Sequence, residues 1–92
     1  MIDKPLFVPL RREHFEAFAS GRKRVETRRY SARWNERSCR IGRPVVLSLG
    51  YAGARLSGRV VSFERATRDS DIYGQGADCA LIGIEIMERN AT

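Results

Sequence analysis

Along the chain, apolar and polar positions alternate in short blocks, each with its own period. Residues 5 to 9, Pro-Leu-Phe-Val-Pro, form an apolar run bracketed by prolines. That predicts a short strand at a sheet edge or at a strand start, where a missing N–H breaks no ladder. From Arg11 to Ser20 the apolar residues Phe15, Phe18 and Ala19 recur at i, i+3 and i+4, the one-face spacing of a helix. Gly21 follows where a left-handed stop is expected. His14 falls one position before Phe15, which predicts a half-buried or surface histidine at the margin of the apolar stripe rather than a catalytic one. Arg24 to Tyr30 switches to period two, with Val25 and Thr27 on one face and Glu26, Arg28 and Tyr30 on the other.

Ser31 to Arg43 shows neither period and reads as a loop, ending in a turn at Ile41-Gly42-Arg43-Pro44. Val45 to Tyr51 is strongly β in composition, Ala52-Gly53-Ala54 is a tight connection, and Arg55 to Arg65 predicts a long strand with Gly58 marking a bulge or kink. Ala66 to Asp78 is polar, carries Gly74 and Gly76, and reads as a loop with one helical turn at most. Cys79 to Met87 closes the pattern, with Ile82, Ile84 and Ile86 on one face and Leu81, Gly83 and Glu85 on the other. The predicted order is strand, helix, then four strands. This is an α+β fold, mostly β: a five-stranded curled sheet or small β-barrel capped by one N-terminal helix. Parallel crossovers are not expected with a single helix.

Length changes this picture only by bounding it, since 92 residues hold one domain and one modest core. No apolar run approaches the ~18 residues of a membrane span, so no membrane partner is expected. Met1-Ile2-Asp3-Lys4 is not followed by the apolar region of a signal peptide, which predicts a cytoplasmic protein.

Charge is more informative. The net charge of +6 comes from one stretch, residues 21 to 43, where Lys23 and eight arginines face only Glu26 and Glu36. Arginine's planar fork meets phosphate in two parallel hydrogen bonds and stacks on flat rings. Tyr30 and Trp34 are interleaved with it, the mixture that single-stranded nucleic acid requires. The competing reading is a solvated cationic loop paired with the acids of residues 64 to 88.

Cys39 and Cys79 stand alone, with no second cysteine or histidine at ligand spacing, so neither a structural metal nor a cofactor is expected. Both are expected to be small buried apolar groups.

Residues 21 to 28, Gly-Arg-Lys-Arg-Val-Glu-Thr-Arg, resemble the GxKxxExR motif of the ASCH domain family, a branch of the PUA-like β-barrel fold. The preceding helix, the Tyr-x-x-x-Trp at Tyr30 to Trp34, the Ile-Gly-x-Pro at Ile41 to Pro44 and the Leu-x-Gly-x-Val at Leu56 to Val60 are similar as well. The resemblance spans roughly residues 4 to 87. It implies a single ASCH/PUA-like domain over residues 1–92 with an RNA-related role: RNA binding, ribonuclease activity, or amide hydrolysis of an acylated cytidine. In the hydrolase members the motif lysine, the residue three positions on and a downstream acid are taken as catalytic. Lys23 matches the first, Glu26 stands where those hydrolases carry threonine, and only Asp69, Asp71 and Asp78 are offered for the third.

The residues themselves leave two function classes open. As a binding module, the chain would grip RNA, a nucleoside or a nucleotide through Arg22, Arg24, Arg28, Arg29, Tyr30, Arg33 and Trp34. Glu26 would hold Lys23 or Arg28 in an ion pair at the barrel mouth. As a small hydrolase, Lys23 would act as general base or nucleophile, Glu26 would shuttle a proton and Tyr51 would assist. Lysine, unlike arginine, can deprotonate. Against both stands a ladder ion pair that only stabilises, by ~0.2–1 kcal/mol if exposed. Trp34 could equally anchor its loop, Ser48 and Tyr73 offer polar lining, and a third class is a basic patch that meets an acidic protein. Oligomeric state is not written in the sequence.

Overall fold

A computed structural model describes residues 4–70 and 72–90. The elements are β1 (Leu6–Leu10), α1 (Arg12–Ala19), β2 (Val25–Arg29), β3 (Pro44–Leu49), β4 (Arg55–Ser70) and β5 (Gly74–Asn90). The strands form one sheet in the order β1-β3-β4-β5-β2. The sheet is curled but not closed, and the mostly β, α+β class is as expected.

The proline-bracketed segment is an edge strand. Gly50 N–H donates to Leu10 O at 2.9 Å, so even-numbered residues of β1 turn their main-chain groups toward β3. Phe7 and Pro9 therefore turn theirs to the open edge, where Pro9's missing N–H has no consequence. Leu6, Val8 and Leu10 face inward and meet Phe15 and Phe18 from α1, Val45 and Leu47 from β3, Leu56 and Val60 from β4, and Ile82 and Ile84 from β5. Gly58 sits at a register shift between Ser57 and Gly58. A Cβ there would lie 2.5 Å from the main-chain oxygen of Glu85, so the close strand approach requires glycine.

Two expectations are corrected. β1 and β3 run parallel. The single helix suffices because the connection also contains β2, which crosses to the far edge of the sheet, and the long basic loop. Second, residues 66–70 and 74–78 are strand rather than loop. β4 and β5 continue as a two-stranded ribbon, pairing Ala66 with Cys79, Thr67 with Asp78 and Ser70 with Gly74.

The two edge strands, β1 and β2, approach each other across the curl without a ladder between them. Guanidiniums bridge the gap instead. Arg28 Nη2 of β2 donates to Pro9 O at 2.8 Å, and Arg33 Nη2 of the basic loop donates to Phe7 O at 3.2 Å. These are the odd-numbered carbonyls of β1 left unpaired at its open edge. The basic loop itself is fastened by Trp34 and Cys39, both buried in the core, and by Arg43, which donates to Lys4 O and Ser38 O. Cys39 and Cys79 are free thiols, buried as expected. No helix among the described residues is long and apolar enough to cross a membrane.

Candidate functional site

The cleft lies where α1, β2 and the open edge of β1 meet, beneath the tip of the β4–β5 ribbon. Local sequence builds it. Gly21, at φ +82°, reverses the chain after α1, as the left-handed stop predicted. The reversal lets Lys23 N–H donate to Ala17 O at 3.0 Å and returns the Lys23 side chain over the helix. Its Nζ lies 5.5 Å from the centre of the Phe18 ring and 3.1 Å from His14 Nδ1. Two-residue alternation along β2 then turns Glu26 and Arg28 inward together.

Glu26 is the hub and is 5% exposed. Lys23 Nζ lies 3.0 Å from its Oε1, and Arg28 Nε donates to its Oε2 at 2.5 Å. Each carboxylate oxygen thus has its own cation, the condition under which a buried charge is tolerated. Arg28 also lies over the Trp34 ring, 4.7 Å from its centre. An ammonium can only donate, so a charged Lys23 makes His14 Nδ1 an acceptor and places the imidazole proton on Nε2. The cleft these groups line, with Arg11, Thr27 and Tyr73, has a volume of about 410 Å³.

Thr27 contributes main chain as well. Ile84 N–H donates to Arg24 O, and Tyr30 N–H donates to Asp78 O, so even-numbered residues of β2 bond to β5. The N–H and C=O of Thr27 therefore face the open edge beside the cleft, one donor and one acceptor at strand spacing.

The structure thus brings together Lys23, Glu26 and Arg28, and Glu26 holds both cations rather than one. Tyr73 lines the cleft, as polar lining was expected to. Other anticipated residues lie elsewhere. Arg22, Arg24 and Arg29 are exposed, Arg29 because it follows Arg28 on the opposite face of β2. Tyr51 is 78% exposed and does not line the Lys23 cleft. It borders a neighbouring recess that also includes Arg28.

Packing engages several other candidates in contacts within the protein. Trp34 is 8% exposed, with Arg28 and Arg33 over its ring, so it anchors the loop and offers no open face to a base. Arg33 is committed to Phe7 O and Trp34. Tyr30 is half-buried, with Arg65 stacked 3.8 Å from its ring centre and its Oη donating to Glu36. Ser48 Oγ is fully buried, without a hydrogen-bond partner among the described residues, and does not line the Lys23 cleft. Asp69 accepts from Gly76 N–H and Asp78 pairs with Arg65, so neither joins Lys23 and Glu26. Asp71 lies outside the described residues.

His14 also lines the cleft, which its place in the helix does not by itself predict. Its placement beside the stripe was legible, but its partner arrives from beyond the helix stop. The signal was Gly21, which fixes the return of Lys23 onto the helix. No cluster of three or more His, Cys, Asp or Glu side chains suited to a metal ion occurs among the described residues.

The chain matches no protein-family model and no curated protein sequence.

Proposed function

We propose that the chain is an ASCH-type RNA-binding domain that takes a nucleotide of single-stranded RNA into the Lys23 cleft. The observation that carries this reading is the charge of the cleft. Among the described residues, Arg11, Lys23 and Arg28 converge there against one carboxylate, that of Glu26. Glu26 positions two of these cations without cancelling the surplus, and the concave wall concentrates the field on an incoming anion. Thr27 presents a donor and an acceptor to a base edge, Tyr73 supplies a flat face, and exposed Arg22, Arg24 and Arg29 add long-range attraction. The GxKxxExR resemblance supports the same reading.

Binding of a short single-stranded RNA, followed against salt, tests it. The logarithm of affinity is expected to fall against the logarithm of salt with a slope of about −0.7 per phosphate contacted. RNA should also bind more tightly than an acidic polypeptide of matched charge. Equal binding of the two polyanions would make the surface a general basic patch.

A second reading, a small hydrolase acting on RNA or a modified nucleoside, is favoured by the 3.1 Å contact between Lys23 Nζ and His14 Nδ1. That contact gives a proton two adjacent resting places, as general acid–base chemistry requires. Lys23→Arg keeps the charge but cannot deprotonate. If the chain is an enzyme, this variant loses turnover of RNA or acylated cytidine while RNA affinity is nearly unchanged.

A further inference from the structure

The cleft does not end at Arg28. On the other side of that guanidinium a second recess of about 630 Å³ opens, and the two share Pro9, Leu10, Arg11 and Arg28 as a common ridge. Its outer wall is Tyr51, an aromatic side chain that is 78% exposed yet held in place. Gly50 N–H ties the strand end to Leu10 O at 2.9 Å, and Arg55 Nη2 donates to Tyr51 O at 3.1 Å. The Tyr51 ring tilts against Phe7 at 6.2 Å between centres, and Arg55 lies 5.2 Å over the Phe7 ring. An aromatic ring on an anchored main chain, resting against Phe7 and otherwise open, is a face on which a base can stack.

The ridge between the recesses is cationic and has donors to spare. Of Arg28's five N–H groups, Nε is directed to Glu26 and one on Nη2 to Pro9 O, which leaves three, both on Nη1 and the second on Nη2. Arg11 is exposed, and its guanidinium makes no hydrogen bond or ion pair among the described residues. A base-sized cleft, a cationic ridge and an aromatic shelf follow one another in that order. Base, phosphate and base follow one another in the same order along a strand.

We propose that the ligand of this site is a strand of at least two nucleotides: one base in the Lys23 cleft, the linking phosphodiester at Arg11 and Arg28, and the next base stacked on Tyr51. This rests on the RNA-binding reading and narrows it, because a free nucleoside fills only the first position.

Calorimetric titration with nucleoside 3′,5′-bisphosphates (pNp) and 5′-phosphorylated dinucleotides (pNpN) of each of the four bases tests the assignment. The two probes share the first base and its two phosphates, with pNp taken as its 3′-methyl ester so that both carry a phosphodiester there, and their affinity ratio then reports the second nucleotide. The ratio is expected to be about tenfold in the wild type, to fall to about one in Tyr51→Ala, and to return in Tyr51→Phe. A wild-type ratio of one, or a ratio that survives Tyr51→Ala, overturns the two-position site while leaving the Lys23 cleft as a mononucleotide site. Failure of every pNp and pNpN to bind overturns the RNA-binding reading itself, and this inference with it.

Discussion

The Lys23 cleft and the cluster around Tyr30 are built from the same groups: carboxylates, arginines and an aromatic ring. In the cluster, Arg65 makes two hydrogen bonds to Asp78, at 3.1 and 2.8 Å, and stacks on Tyr30, whose Oη donates to Glu36. One guanidinium faces two carboxylates there, and the ion-paired side chains are about half exposed. The cluster ties the basic loop to the β4–β5 ribbon. In the cleft one nearly buried carboxylate is shared by two cations, so a surplus of donors is directed into a hollow. What separates the two is stoichiometry and burial, which residue type does not convey.

The contrast is broken most directly at Glu26. Glu26→Gln keeps the shape but leaves Lys23 and Arg28 facing each other with no counter-charge. A loss of about 3 kcal/mol is expected, at the lower end for breaking a buried pair because both cations retain some water. Urea unfolding at neutral pH measures it. Asp78→Asn in the exposed cluster should leave the midpoint within experimental error. Equal shifts in the two variants would mean that the buried carboxylate and the exposed one carry the same weight.

A smaller effect is expected at Arg28. Lysine there keeps the charge but cannot hold Glu26 and Pro9 O at once or lie flat over Trp34. Arg28→Lys should cost about 2 kcal/mol, the scale of a lost charge-assisted hydrogen bond at a partly buried site. It should also speed hydrogen exchange along β1 and β2, whose edges the guanidinium joins. Exchange unchanged at those strands would mean that the sheet holds its curl without the bridge.

Periodicity made the main elements legible, because each core strand buries one face: Leu6, Val8 and Leu10, or Ile82 and Ile84. It failed at residues 66 to 78, where the ribbon stands away from the core. Alternation there carries little hydrophobic signal, so paired strands read as a polar loop. The motif residues Lys23, Glu26 and Arg28 were found through their spacing and resemblance. Trp34 stayed open between a base-stacking face and a loop anchor because the burial of a loop aromatic depends on the path the loop takes over the core. Arg28 and Arg29 show how composition misleads: adjacent arginines in one basic run serve opposite faces of β2. Likewise Arg33 and Arg43 donate to main-chain carbonyls, so the surplus charge of the loop is partly structural.

The smallest expected effect belongs to the exposed cluster and is read from its dependence on pH. Accepting the Tyr30 O–H holds the Glu36 carboxyl below its ordinary value, and the hydrogen bonds from Arg65 do the same for Asp78. A carboxyl depressed in the folded state adds stability that is present above its unfolded pKa and lost as pH falls through the folded one. Tyr30 moves the other way, raised first by its hydrogen bond to Glu36 and then by desolvation. Its contribution is present below the ordinary phenol value of about 10 and lost as pH rises through the higher folded value. Glu36→Gln should therefore flatten the acid limb of stability and bring the Tyr30 titration down toward the ordinary value. Ultraviolet titration of the phenol, taken as the difference from Tyr30→Phe, reads this shift. If Tyr30 titrates at the same pH with and without the Glu36 carboxyl, the two are not joined in solution. The basic loop would then be fastened by Trp34, Cys39, Arg33 and Arg43 without the cluster, which would be no counterpart to the cleft.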